Sequence, residues 1–425
     1  MLDLTEKSVA VLGAGRSGQA AAALAAHCGA SVTIYDSRET PGAVLATPET
    51  GEEVNVDLVV VSPGIETLGD FVQAFANGSG ALWGEVELAW RCYAGHTIGI
   101  TGTNGKTTTT ELVRDLVEAT GKSCVACGNY GVPLSEVVLY ENVPQVIALE
   151  LSSFQLETIV DFKPDAVIWL NFSPDHMDRY QSVEDYRAAK LRILENISDE
   201  TPVVVRVGED LPVKGQVITF SSEQPADWSL RTDDICCDEE KFVAMSETRL
   251  RGLHNAENIM AACAALPGLT PDIASRALLL YTPPEHRCEL VDTIDEVEYL
   301  NDSKATNLHA LESALRSQIR PTILIAGGKE KGLDYQSLAS ILAKRAKHLI
   351  CFGQIGAALA AIFSKVVPCD VVETLDEAVA LAAGLSIPGD AVLLSPGTSS
   401  FDQFKSYEAR GSAFKSAVSQ ISPSL

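Results

Sequence analysis

Basic residues are scarce in this chain. Its 425 residues include 32 Lys and Arg against 57 Asp and Glu, a formal net charge of -25. Nucleic acid and anionic membranes are held chiefly through basic patches, so such a chain repels both. Anionic small molecules can bind only where a few Lys and Arg are placed locally against that field. Long apolar runs are missing too. None approaches the roughly 20 residues that span a bilayer, which predicts no membrane insertion. Paired metal-binding cysteines are also absent. Of the 10 Cys, Cys124 and Cys127 form the one C-x-x-C-like pair, without a second pair or a His cluster, and Cys236 and Cys237 are adjacent. These read as reduced thiols of a cytosolic protein. The start of the chain, Met1 to Thr5, is not a basic region leading into an apolar stretch. No secretory leader is expected, and the protein is placed in the cytoplasm.

What is present is a globular balance, 46% hydrophobic and 21% charged. The length suggests about three domains. Short runs rich in Val and Ile alternate with Ala- and Leu-rich amphipathic stretches, the pattern of βαβ units. Strands are predicted at residues 8–12, 31–36, 57–61, 97–100, 146–151, 165–170, 298–301, 321–326, 348–352 and 390–394. Alanine-rich helices are expected up to Cys28 and after His254-Asn255-Ala256-Glu257-Asn258, and a further helix over residues 107–119. Residues 207–250 read as polar and less regular. Thr282-Pro283-Pro284 is the best linker candidate, since consecutive prolines break both helix and sheet. The expectation is an α/β chain of three domains. A Rossmann-like domain covers 1–93, a P-loop-type central ATPase domain with a mainly parallel sheet covers 94–283, and a second Rossmann-like domain covers 284–425.

The most informative segment is Thr101-Gly102-Thr103-Asn104-Gly105-Lys106-Thr107-Thr108. It follows a predicted strand and opens a predicted helix, the context of a phosphate loop. Its glycines let the backbone curl so that several N–H groups face one anion. The helix N-terminus adds unpaired donors and partial positive charge. On this reading residues 102–108 bind ATP, Lys106 reaches the β- and γ-phosphates, and the Thr107 hydroxyl coordinates Mg²⁺. The general motif has Gly five residues before Gly105, where Ile100 stands. The loop is therefore expected to be shortened or shifted. Mg²⁺ needs further hard oxygen ligands. Glu150 closes a strand whose end faces the same rim of a parallel sheet, which makes it the candidate.

Gly13-Ala14-Gly15-Arg16-Ser17-Gly18 follows the first strand, and Asp36 ends the next. This is a dinucleotide fingerprint, and alone it suggests NAD. Its physics is a helix N-terminus that holds a diphosphate, which a UDP-sugar fits equally well.

Four segments in this order resemble the Mur ligases and the related folylpolyglutamate synthetases. They are residues 102–108, Glu150-Leu151-Ser152-Ser153-Phe154-Gln155, Asp175-His176-Met177-Asp178 leading to Tyr186-Arg187-Ala188-Ala189-Lys190, and His254-Asn255-Ala256-Glu257-Asn258. The resemblance covers nearly the whole chain. It implies that Lys106, Glu150, His176 and Lys190 are catalytic. Glu150 and Thr107 would hold the metal on ATP. Lys190 would be carbamylated, its tip acting as a carboxylate that holds a second Mg²⁺ with His176. Asn258, Arg287 and Asp302 would meet the nucleotide. Arg16, Ser17, Asp36, Ser37, Arg38 and Gly64 would hold a UDP-linked substrate, with Asn129 and His176 at its sugar-peptide end.

Three further segments resemble the members that add D-glutamate to UDP-N-acetylmuramoyl-L-alanine. They are Asn301-Asp302-Ser303-Lys304-Ala305-Thr306-Asn307, Gly327-Gly328-x-x-Lys331-Gly332, and Ser395-Pro396 through Asp402-Gln403-Phe404-Lys405. Lys331, Thr306, Ser400 and Tyr407 would gather around the D-glutamate. The family commonly has Phe where Cys288 and Tyr407 stand. The implied protein is a monomeric ATP-dependent ligase of peptidoglycan precursor synthesis that works through an acyl phosphate. The alternative is a Mur or folylpolyglutamate-type ligase with another amino-acid acceptor.

Overall fold

Runs of Val, Ile and Leu form three sheets in the computed structural model, which describes residues 2–177 and 179–421. The first sheet contains β1 (Ser8–Leu12), β2 (Ser31–Asp36), β3 (Val44–Leu45), β4 (Leu58–Val61) and β5 (Leu82–Gly84). Its strands are all parallel, in the order β3-β2-β1-β4-β5. The order reverses beside β1, where open α/β sheets form their ligand crevice.

The second sheet contains β6 (His96–Thr101), β7 (Cys124–Gly128), β8 (Val146–Glu150), β9 (Ala166–Trp169), β10 (Pro202–Arg206), β11 (Gln216–Ser221), β12 (Trp228–Arg231), β13 (Asp234–Cys237) and β14 (Glu240–Ala244). Its order is β14-β13-β12-β11-β10-β9-β6-β8-β7. Strands β6 to β12 run parallel, and β13 and β14 are antiparallel additions at the edge.

The third sheet contains β15 (Glu289–Ile294), β16 (Val297–Asn301), β17 (Thr322–Gly327), β18 (Ala346–Phe352), β19 (Cys369–Val371) and β20 (Ala391–Leu394). Its order is β15-β16-β20-β17-β18-β19, parallel except for the β15–β16 hairpin.

The central strands are uninterrupted apolar runs because helices cover both faces of a parallel sheet. Every residue of β4, β8 and β9 is buried. Each fully buried Val, Leu or Ile contributes roughly 1.5–3 kcal/mol. In the third sheet Leu324 and Leu349 enter one core, while Ile323 and Ile350 enter the other. That is the two-residue period of a strand.

The chain divides into two compact units. One holds the residues up to Thr248 together with Glu257–Tyr281, and carries the first two sheets. The other holds Arg249–Ala256 and resumes at Thr282, the residue before Pro283-Pro284. Among the described residues, no helix is long and apolar enough to cross a membrane.

The stretch 207–250 is a correction to the sequence reading. It contains β11 to β14 rather than irregular chain. These strands are short and half exposed, so their apolar residues never form a run. The β13–β14 turn is Asp238-Glu239, both at positive φ (47° and 73°). Two such residues give the twist a tight hairpin needs, but Asp-Glu lacks the glycine that usually signals it. Asp295-Glu296 closes the β15–β16 hairpin in the same way, at 49° and 64°.

Candidate active site

The phosphate loop lies at the C-terminal end of β6, and helix Lys106–Ala119 follows it. Ile100 is fully buried inside β6, so the loop proper is short, residues 102–105. Asn171, just beyond β9, shapes it. Its carbonyl accepts from Thr103 N at 2.9 Å, and its Oδ1 accepts from Asn104 N at 2.9 Å. Gly105 sits at φ 85°, and a Cβ there would come within 2.4 Å of Asn258 Oδ1. Asn258 thus packs on the loop, and it also accepts from Thr109 Oγ1 at 3.3 Å. Thr107 and Thr108 are buried in the first helical turn.

Two lysines meet on this loop. Lys106 Nζ donates to the carbonyls of Gly102 and Thr103, each at 2.9 Å. Lys190, on helix Val183–Leu191 and 1% exposed, donates to the same Gly102 carbonyl at 2.9 Å. Burial first, and the charge of Lys106 second, hold the Lys190 amine well below the usual lysine range. Asp175 and Glu150 pull the other way.

Glu150 closes β8 in the same region. Its Oε1 accepts from Asn129 Nδ2 at 2.8 Å. Its Oε2 is buried with no hydrogen-bond partner among the described residues. A buried carboxylate oxygen left this way is costly unless a cation meets it. Glu150 and Thr107 therefore suit Mg²⁺, a hard ion that takes oxygen donors. Among the described residues, no group of three or more His, Cys, Asp or Glu forms a metal cage of its own.

His176 stands at φ 57°, and its ring lies edge-on to Phe154, centroids 4.9 Å apart. Tyr186 lies between it and Lys190. The His176 ring is 6.0 Å from that of Tyr186, and Lys190 Nζ is 4.9 Å from the same ring. Asp178 lies outside the described residues. The sequence reading missed the next residue, Arg179. Its guanidinium covers Phe154 at 3.9 Å and donates to Pro63 O and Ile65 O, both at 3.1 Å. It also pairs with Glu157 at 2.9 Å. Glu157 accepts in addition from Tyr180 OH at 2.6 Å and Thr67 Oγ1 at 2.8 Å. The exposed turn at Gly64 is thereby tied to the segment that carries His176.

The other first-sheet candidates are less gathered. A Cβ on Gly18 would lie 1.8 Å from Gly13 O, so only glycine lets helix Arg16–His27 pack so close to its loop. Asp36 is buried, and its oxygens accept from Ala14 N at 2.8 Å and Arg38 N at 2.9 Å. The Ala14 N–H, foremost, lowers its pKa against the effect of burial. Ser17 is half-buried, Ser37 is exposed, and the Arg38 side chain is 89% exposed. Arg16 turns to Gly131 O at 3.0 Å and pairs with Glu136 at 3.2 Å.

In the second unit Asp302 follows β16. Ser395 Oγ donates to it at 2.8 Å and Cys288 N at 3.2 Å. Burial raises its pKa to about 7, against these hydrogen bonds and the charge of Arg287. Arg287 sits between two residues at positive φ, His286 at 66° and Cys288 at 47°. Lys331 Nζ donates to Thr306 O at 3.4 Å. Ser400 is buried, and its carbonyl accepts from Phe404 N at 2.8 Å. Lys304, which the sequence reading did not single out, rests its ammonium 3.6 Å from the centre of the Tyr407 ring.

Residues 100–266 match the Mur ligase middle domain, and residues 286–398 match the Mur ligase glutamate ligase domain. Residues 11–62 match an NAD(P)-binding Rossmann-like domain. The chain is 38% identical over 446 residues to the UDP-N-acetylmuramoylalanine–D-glutamate ligase of Desulfitobacterium hafniense (strain Y51), covering 98% of each chain. It is 38% identical over 451 residues to the protein of that name from Koribacter versatilis (strain Ellin345), covering 99% of each. Its fold is shared with the MurF ligase of Thermotoga maritima in complex with ADP, at TM-score 0.61 and 18% identity over 98% of this chain and 96% of that one. The UDP-N-acetylmuramate–alanine ligase MurC of Thermotoga maritima gives TM-score 0.60 at 17% identity, over 97% and 99%. With two ligase domains matched and more than a third of its residues identical to full-length relatives, the chain belongs to the Mur ligase family.

Proposed function

We propose that this chain joins D-glutamate to UDP-N-acetylmuramoyl-L-alanine with cleavage of ATP to ADP and phosphate, as a monomer in the cytoplasm. The observation that carries the reading is the set of Lys106, Lys190 and Glu150 around one short phosphate loop. The near-complete alignment with relatives named for this activity supports the choice of substrates. The division 1–93, 94–283 and 284–425 assigns the UDP-linked substrate, ATP and the amino acid to successive domains.

The substrate carboxylate is a poor electrophile, because its charge repels nucleophiles and oxide is a poor leaving group. Its oxygen attacks the γ-phosphorus of ATP, the bond to the β-phosphate oxygen breaks, and ADP leaves. The D-glutamate amine then attacks the acyl carbon, loses a proton, and the carbon–oxygen bond to phosphate breaks. The chain's task is to bring anions together and offset their repulsion. Lys106 would turn from the loop carbonyls to the phosphates, and the N–H groups at the start of helix Lys106–Ala119, beyond the two that Asn171 engages, would face the same anion. Glu150 and Thr107 would hold Mg²⁺, which neutralises phosphate oxygens when bound. Placement of the reactants supplies roughly 7–11 kcal/mol at best.

Lys190 bears on a second metal. As an ammonium it would repel a cation, whereas a neutral amine bonds through nitrogen to carbon dioxide, releases a proton to solvent, and becomes an anionic carbamate. Burial beside Lys106 favours the neutral amine. With His176, the carbamate would be a ligand pair. The test of the whole reading is phosphate release from ATP, which should require the UDP-linked substrate and D-glutamate together. Equal release without either one would overturn it.

A further inference from the structure

Arg410 lies on helix Tyr407–Ser419 and has no exposed surface. Its Nε donates to Ser303 Oγ at 3.0 Å, and its Nη2 donates to Ser303 O at 2.9 Å. Nη1 and Nη2 both donate to Thr398 O, at 3.2 and 3.1 Å. Among the described residues, no carboxylate forms an ion pair with it. Asp402 and Asp302 act on it only at longer range.

Burying a cation is expensive, and an apolar side chain of similar volume usually serves stability as well or better. What an apolar residue cannot do is hold two loops at a set spacing through four directed bonds. Arg410 does that. Ser303 follows β16 and leads to Thr306. Thr398 follows β20 and leads to Ser400. The clamp extends to the third loop, after β17. Thr398 Oγ1 donates to Lys329 O, and Lys329 N donates to Ser399 O at 2.9 Å. Ser303 Oγ in turn donates to Tyr407 O at 2.8 Å. The loops that carry Thr306, Lys331 and Ser400, and Tyr407 at the start of the helix, are thus all tied to one guanidinium or to a residue that it binds.

We propose that Arg410 is a positioning residue for the amino-acid substrate, setting the distance between the Thr306 and Ser400 loops without touching the substrate. This rests on the reading that those loops receive D-glutamate. The four bonds leave from three nitrogens of a planar fork, which the single ammonium of lysine cannot reproduce.

The experiment measures kcat and the KM of each substrate for wild type, Arg410→Lys and Arg410→Ala, the last with and without added methylguanidine. A displacement of about 1 Å in a site costs up to about 100-fold. The expected result is a rise of about tenfold or more in the KM for D-glutamate in both variants. The KM for the UDP-linked substrate stays unchanged, and methylguanidine restores Arg410→Ala in part. If Arg410→Ala does not fold, Arg410→Lys carries the test alone. All KM values unchanged overturns the proposal, since D-glutamate is then bound as before, and so does a parallel change in every KM, which marks a merely structural role. If wild type takes another amino acid in place of D-glutamate, the assigned function fails, and the same split, read on that acceptor, decides the role of Arg410.

Discussion

Lys106 and Lys190 donate to one and the same oxygen, the carbonyl of Gly102, each at 2.9 Å. Two ammonium groups on one acceptor repel each other, and burial gives Lys190 no water to screen that repulsion. The proton on Lys190 is the one the site can spare, which the depression of its pKa expresses. Burial and the charge of Lys106 thus both disfavour the ammonium form of Lys190.

Lys106→Ala should lower both phosphate release and product formation by roughly 100-fold or more, since it removes the charge that the proposed mechanism places on the transferred phosphoryl group. Measuring both in one assay checks this. Retained phosphate release with both substrates would contradict the assigned role.

If Lys190 carries the proposed carbamate, Lys190→Ala should be inactive, and a short free carboxylate such as formate or acetate should recover part of the activity by taking its place. Intact-protein mass of the wild type in bicarbonate should carry one added CO₂, which acidification removes. No recovery with any acid tried, and no adduct, would count against the carbamate.

Arg179→Ala removes the charged hydrogen bonds that join residues 63–65 to the His176 segment. Bonds of this kind contribute roughly 1.5–3 kcal/mol. The variant should melt lower and show a raised KM for the UDP-linked substrate, while the KM for D-glutamate holds. An unchanged KM for the UDP-linked substrate would show that the clamp is structural only.

Asp302 gives a pH prediction. An unperturbed Asp titrates near 3.8, and Asp302 in the folded chain near 7, chiefly because it is buried. The folded chain holds this proton more tightly, so the stability it contributes is full below 3.8 and is lost as pH rises through about 7. Asp302→Asn cannot titrate. The gap in melting temperature between wild type and this variant should shift against wild type as pH rises from about 4 to about 8. A constant gap across that range would refute the protonated carboxyl.

Much of this was legible in the residues themselves. β1 and β2 span the predicted residues because a glycine turn bounds one and Asp36 ends the other. The turn between β6 and helix Lys106–Ala119 was legible because its glycines mark a tight bend between an apolar run and a helical pattern. The edge strands β12 to β14 were not, since they are only four or five residues long, partly exposed, and joined by turns that lack glycine. Arg179 and Arg410 escaped notice for a different reason. Each acts through carbonyls of distant segments, Pro63 and Ile65 for one, Ser303 and Thr398 for the other. Backbone acceptors leave no signature in side-chain identity, so such clamps become visible only once the chain is folded.

The most direct test of the assigned activity is ATP turnover with UDP-N-acetylmuramoyl-L-alanine across D-glutamate, L-glutamate, L-alanine and L-lysine. Turnover with D-glutamate should stand well above that with the other three. Turnover as high with any of them, or none with D-glutamate, would contradict the assigned activity.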